Sequence, residues 1–202
     1  MLAILATIAR DAYAADLTSP SFLVATRDMQ DPMFRQTVIL MLPSQESPLI
    51  AGVIINRPSN VRVRQMFPQA RQLGSMQDTV YIGGPVETGE VSLIFRAAKA
   101  QKSATQVFND VYVCTDHDAI ADILKDSQIT DLRVIAGRAQ WLRDQLHGEM
   151  FESAWYIVPA TPGLVFGDPK SLWSTLVKGG EMQEVDATPS RAPRELLLGM
   201  LR

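Results

Sequence analysis

"QTVILMLPSQESPLIAGVIIN", residues 36–56, decides the fold. It holds two apolar, β-branched runs, residues 36–42 and 49–56, separated by a polar turn that begins and ends on proline. Neither run alternates apolar with polar residues, and neither is long enough for a helix of ordinary length. Each therefore reads as a strand buried on both faces. With so short a connection the two form an antiparallel hairpin. Gly52, inside the second run, marks a bulge or a close approach of another backbone.

Working outward, strand-like runs recur: "SFLVAT" (residues 21–26), "TVYIG" (79–83), "EVSLIFRA" (90–97), "VFNDVYVCT" (107–115), "DLRVIAGRA" (131–139) and "AWYIVPA" (154–160). "RDMQDPMF" (27–34) is a loop, because Pro32 disfavours helix at Asp31. "VRVRQMFPQARQ" is a short helix or an irregular segment, interrupted at Pro68. The clearest helix begins after Thr115, a candidate cap, with Ile120, Ile123 and Leu124 at helical spacing. Residues 142–151 give a second helix, weakened by Gly148. Asp168 caps a third with Pro169 in its first turn and Leu172, Trp173, Leu176 and Val177 on one face. From Gly179 the composition turns polar and reads as a tail, with "RELLLGMLR" as a short helix near its end. About seven strands, mostly adjacent in sequence, and helices gathered late specify an α+β fold rather than a parallel α/β sheet.

Composition narrows the function. The chain has 202 residues, 47% of them apolar, enough for one well-filled core and no more than one domain, expected over residues 15–178. The net charge is -3 and no lysine–arginine cluster is present, so direct nucleic-acid binding is not expected. The single cysteine, Cys114, rules out an intrachain disulfide and reads as a small buried hydrophobe. The N-terminus has two readings. Residues 2–9 are apolar, and Ala12-Tyr13-Ala14 fits a secretory cleavage site before Ala15, so residues 1–14 read as a signal peptide and the protein as periplasmic. No basic residue precedes the run, so this reading requires a start upstream. The alternative is a short surface helix on a cytoplasmic protein. Either way the run falls short of the ~20 residues that span a bilayer.

Common catalytic patterns are missing. The two histidines, His117 and His147, lie in no zinc-ligand spacing, and neither a nucleophile elbow nor a phosphate-binding glycine loop occurs. No metal and no cofactor are expected. Five residues remain as candidate binding residues: Asp31, Asn56, Arg57, Gly83 and Gly84. Asp31 lies in a loop with Asp28, Arg27 and Arg35, a cluster that ion pairs and Asx turns hold together. Arg57 leaves the end of a buried strand between Asn56 and Pro58. It either clamps an anion with its planar fork or fastens the 27–34 loop, through backbone carbonyls or through Asp31. In "GGPV", Gly83 and Gly84 can adopt positive φ and Pro85 stiffens the next residues. A glycine pair after a strand can offer amides to an anion, but another strand comes next here instead of a helix. The loop reads as one that lets two backbones approach closely.

"FLVAT…DPMFRQTVIL", "GVIINRP", "YIGGPV", "VYVCTDHDAI", "IAGRAQW…QL" and "AWYIVPA", in this order and spacing, resemble the YqgE/AlgH family of bacterial proteins over residues 21–176. The resemblance implies a compact domain on a bent, barrel-like sheet. It brings a transcriptional-regulator label but no established activity and no assigned catalytic residue. Relatives often carry Gly-Tyr-Ala-Gly-Trp and then Gly-Pro-Gly; here the chain reads Gly137-Arg138-Ala139-Gln140-Trp141 and Leu142-Arg143-Asp144. A pocket formed by that segment in relatives is expected to be narrower or absent. The leading expectation is a non-enzymatic binding or regulatory domain whose partner is a small molecule or a protein. The alternatives are an enzyme with its site at Asp31, Asn56, Arg57 and the Gly83–Gly84 amides, and a structural subunit of an oligomer.

Overall fold

The computed structural model describes residues 20–43, 48–70, 73–74, 77–126, 128–129 and 131–187, with side chains as far as Glu181. The apolar N-terminal run with its cleavage pattern, most of the 43–48 turn, and the C-terminal "RELLLGMLR" lie outside the described residues.

The element order is β1 (Ser21–Ala25), β2 (Val38–Met41), β3 (Leu49–Ile54), α1 (Val63–Met66), β4 (Val80–Ile82), β5 (Val86–Arg96), β6 (Ala104–Phe108), β7 (Val111–Cys114), α2 (His117–Ile123), β8 (Leu132–Leu142), α3 (Arg143–Phe151), β9 (Trp155–Pro159), α4 (Pro162–Val165) and α5 (Pro169–Ala187). The strands form one open, curled sheet in the order β6-β7-β5-β8-β3-β2-β1-β9, with β4 against β8. Every pairing is antiparallel except β4 with β8. The α+β fold and bent sheet expected from the sequence are therefore present, and β2–β3 is the expected hairpin, with Ile39 opposite Ile54. Gly52 is a close-approach position: a Cβ there would press on Ile39 and on the Leu40 carbonyl.

The two-sided burial read from residues 36–56 arises from period-2 alternation between separate cores. On the shared face, Phe22 and Val24 of β1, Val38 and Leu40 of β2, Ile94 of β5 and Ile135 of β8 pack with Leu172, Leu176 and Val177 of α5. The residues between them face outward into two smaller cores. In one arm Leu23, Ile39 and Ile54 join Trp141 and Trp155 and are covered by Leu146 and Met150 of α3. Phe34, Trp141 and Trp155 form an aromatic cluster there, with ring centroids 5.7–6.1 Å apart. In the other arm Leu93, Phe95, Leu132 and Val134 are covered by Val63 and Phe67 near α1 and by Ile120 and Ile123 of α2. Cys114 is buried in this second core, and burial raises its thiol pKa.

Three local expectations are revised. The run 107–115 is not one strand but the end of β6, a turn at Asn109-Asp110, and β7; Asn109 takes φ 45°, which asparagine tolerates. The cap of α2 is Asp116, not Thr115: its carboxylate accepts the Ala119 N–H at 3.0 Å. Helix α5 does not stop at Gly179 but runs to Ala187. Gly180 lies against the Tyr156 ring so closely that a Cβ would sit 2.5 Å from Cγ, and Glu181 pairs with Arg27 at 2.6 Å. Tertiary contact here extends a helix whose glycines argue for an end.

Candidate functional site

Strand β8 serves both arms of the sheet. Its first half pairs with β5 on one edge and β4 on the other, and its second half with β3. Even residues Leu132 and Val134 and odd residues Ala139 and Trp141 all face the outer cores. That reversal of parity requires one extra residue. Gly137, at φ 75°, lies where the parity changes, opposite the register shift of β5 between Val86 and Val91. The segment expected to line a narrower pocket, or none, is the crossing point of a strand, and Leu142-Arg143-Asp144 leads directly into α3. Gly137 and Arg138 nevertheless line a cleft of about 550 Å³ with Glu87, Glu90 and Ser92, so a pocket is not absent there.

The tip of β4 fills the edge of β8 that β3 leaves. Gly83 donates to the Ala136 carbonyl at 2.7 Å and accepts from Ile54 N–H at 2.8 Å. Gly84 has φ 153°, and a Cβ on it would lie 2.3 Å from the Arg138 carbonyl. The Gly84 carbonyl in turn occupies the space a Cβ on Gly137 would need. Gly83 and Gly84 thus hold a close crossing of backbones, and both hydrogen-bonding groups of Gly83 are used by neighbouring strands.

The exit from β3 runs back along β4: Ile82 N–H donates to Arg57, and Ser59 N–H to Val80, both at 2.9 Å. Asn56 and Arg57 are thereby placed over the 31–37 turn. The Asn56 side chain continues the β2 ladder, accepting from Val38 N–H at 2.8 Å and donating to the Gln36 carbonyl at 2.9 Å. Gln36 sits at φ 59°, so its carbonyl is turned out of any strand register and needs this partner. Half-buried Arg57 donates to the Met33 carbonyl and, at 3.3 Å, to that of Arg35. Burial lowers its pKa, partly offset by the field of Asp31. Asp31 forms no ion pair with Arg57; it accepts from Met33 N–H at 2.7 Å in its own Asx turn. Of the fates the sequence left open for Arg57, the structure shows the one through backbone carbonyls. Arg57→Ala is expected to lower stability by about 2 kcal/mol, since charge-assisted bonds to the main chain are lost. An unchanged urea midpoint would contradict this role.

None of these five residues lines the cleft of about 370 Å³ on the other side of Tyr81, whose walls include Gly74, Gln77, Tyr81, Asp131, Arg133 and Phe166. Arg133 was not singled out from the sequence, although an arginine between Leu132 and Val134 is an odd charge in an apolar run. The described residues bury only two charged side chains, Asp78 and Arg133. Asp78 is paired with Arg64 at 2.6 Å; burial pushes its pKa up, but the arginines prevail and hold it below the usual carboxylate range. Arg133 is 4% exposed and has no carboxylate within ion-pair distance among the described residues. It donates to the carbonyls of Ile55 and Gly167, and its guanidinium lies 4.6 Å from the centre of the Tyr81 ring. Its shielded Nε–H has no acceptor. Burial lowers its pKa, partly countered by Tyr81 and Asp168, yet arginine stays cationic in proteins. Asp131, the carboxylate of the cleft wall, is bound to Arg96 at 3.1 Å.

No helix of the described residues is long and apolar enough to cross a membrane. Among known proteins, the UPF0301 protein of Thermobifida fusca is 31% identical over 185 residues, covering 84% of this chain and 91% of its own. That of Chromobacterium violaceum is 30% identical over 155 residues, covering 75% and 83%. The crystal structure of protein DIP2367 from Corynebacterium diphtheriae matches with a TM-score of 0.67 at 24% identity, over 80% of this chain and 86% of that one. The solution structure of AlgH from Pseudomonas aeruginosa matches with a TM-score of 0.62 at 24% identity, over 86% and 95%. These likenesses establish the curled-sheet fold. The AlgH-like family model spans residues 22–183, and with the relatives above it shows that the chain belongs to this bacterial family of uncharacterised proteins.

Proposed function

We propose that the protein is a non-enzymatic binding or regulatory domain that takes up a small molecule in the cleft between Tyr81 and Phe166. The observation that carries this reading is the unpaired, buried Arg133 in the wall of that cleft. Buried charges are ordinarily paired with an opposite charge, so an arginine held by neutral carbonyls and an aromatic ring beside an open cleft is suited to a ligand. Around it stand two aromatic rings and an amide, and the neighbouring carboxylate is engaged by Arg96. This set can recognise and orient, but it holds no nucleophile poised against a base. Asp31, Asn56, Arg57, Gly83 and Gly84 support the cleft from behind, by fixing the β3 exit and β4 that carry Tyr81.

The test is an amide NMR titration with metabolite-sized compounds, neutral and charged. Saturable shifts at Leu132, Arg133 and Phe166, with the compound recovered unchanged, are expected. Shifts confined to other surfaces would remove the cleft from consideration, and conversion of a bound compound to product would make the protein an enzyme. Duplex DNA is expected to bind far more weakly at ~150 mM salt than the ~10⁻⁸ M of specific regulators, because the net charge is -3 and the sequence holds no lysine–arginine cluster for phosphate neutralisation. A fragment-binding assay that reaches such an affinity would overturn this expectation.

A further inference from the structure

We infer that the ligand of the cleft is an organic anion of single charge, a carboxylate on a flat apolar body, bound by Arg133; the inference rests on the binding-domain reading above. Three features of the wall set the ligand class. First, Arg133 supplies one positive charge; Asp168 acts on it through its field, but no carboxylate among the described residues forms an ion pair with it. Its two hydrogen bonds go to neutral carbonyls, which orient the guanidinium without cancelling its charge. An anion entering the cleft therefore gains an attraction that the low-dielectric surroundings strengthen.

Second, the charge is single. Arg96, which holds the wall carboxylate Asp131, is bound to both Asp110 and Asp131. A dianion such as phosphate would keep one charge uncompensated next to Asp131, whereas a carboxylate matches Arg133 charge for charge. Guanidinium donors also fit the planar carboxylate geometry.

Third, besides Gly74, Gln77 and Asp131 the wall carries Leu132 and two aromatic rings, and the cleft is small. Tyr81 and Phe166 flank Arg133, and the volume of about 370 Å³ lies at the low end for ligand pockets. A ring-sized apolar body fits this space. A purely structural account makes Arg133 a strut joining β8 to the end of β3 and to the turn before α5. That account explains both carbonyl bonds but leaves the cleft open beside Arg133.

The probes are benzoate, its neutral counterpart benzamide, acetate and inorganic phosphate, titrated into the full chain at constant ionic strength and monitored by amide NMR. Benzoate is expected to bind saturably at the cleft, at least tenfold more tightly than benzamide, acetate or phosphate. Two variants separate ligand from strut. Arg133→Met removes the charge and is expected to abolish the preference for benzoate over benzamide. Because that variant can fail to fold, Gly74→Phe fills the cleft without touching Arg133: an added Cβ at Gly74 meets only Gln77 Oε1, at an ordinary 3.5 Å. It is expected to keep the melting midpoint of the parent and lose benzoate binding at least tenfold. Equal binding of benzoate and benzamide at the cleft overturns the anion inference and leaves the binding-domain reading standing. Tighter binding of phosphate overturns the carboxylate class. Unaltered benzoate binding by Gly74→Phe moves the site elsewhere, and no cleft binding by any probe, charged or neutral, defeats the inference and removes support from the function it rests on.

Discussion

Gly84→Ala is expected to destabilise the protein by roughly 3–5 kcal/mol, a large share of the stability of an ordinary domain. Two effects add. At φ 153° a side chain is strained, at ~1–3 kcal/mol. The new Cβ would also lie 2.3 Å from the carbonyl carbon and oxygen of Arg138 and 2.4 Å from Ala139 N. All three are main-chain atoms of β8 and cannot rotate away, so relief requires the crossing itself to open, at a further ~1–3 kcal/mol. Gly83→Ala separates the two effects. It meets the Gly137 carbonyl at 2.2 Å but has no positive φ, so its loss is steric alone. Urea unfolding of both variants measures this. A Gly84→Ala midpoint within error of the parent would mean that β4 and β8 do not cross as closely as described.

Glu149→Ala ranks next, at about 3 kcal/mol. One oxygen of Glu149 accepts the indole N–H of both Trp141, at 3.0 Å, and Trp155, at 2.8 Å; the other accepts from Gln145 at 3.0 Å. Both indoles are almost fully buried. Truncation strands two donors at ~1–3 kcal/mol each, reduced because Glu149 is half-exposed and water can enter where it stood. Glu149→Gln keeps an oxygen in place and is expected to lose only about 1 kcal/mol, the charge-assisted part. The two tryptophans report the change directly: their emission should shift to the red in Glu149→Ala and hardly move in Glu149→Gln. The same shift in both variants would show that the carboxylate, not simply an acceptor, orders the cluster.

The sheet was legible because its strands are apolar on both faces, a signature that residues 36–56 carry without help from the rest of the chain. The antiparallel α+β class came from the order of the elements. The turn at Asn109-Asp110 was missed because a two-residue turn interrupts the β-branched pattern of 107–115 too briefly to break it. The length of α5 was missed because Gly179 and Gly180 lower helix propensity, while the packing of Gly180 on Tyr156 and the Arg27–Glu181 pair lie 24 and more residues away in sequence. The close-approach reading of "GGPV" rested on its C-terminal neighbour, a strand and not a helix, and Gly137 as the facing partner was beyond any local pattern. Arg133 was visible as an odd charge in a strand, but its lack of a carboxylate partner is a fact of three dimensions. Asn56 and Arg57 were visible as polar residues at the end of a buried strand, and the structure shows both bonded to the 31–38 segment.

The shared strand β8 has a consequence for how the chain reaches this structure. During synthesis β3, β4 and β5 emerge well before the strand that joins them. Until residues 132–142 are made, each presents unpaired N–H and C=O groups along an edge that is later buried. Strand β1 waits longer still for β9, since Phe22 pairs with Val158. Neither arm can close early, and one late segment completes both. Pairings so distant in sequence make for slow folding, with loop-closure entropy lost before contacts form. The nascent chain is most open to aggregation through its β3 and β5 edges while it waits for β8.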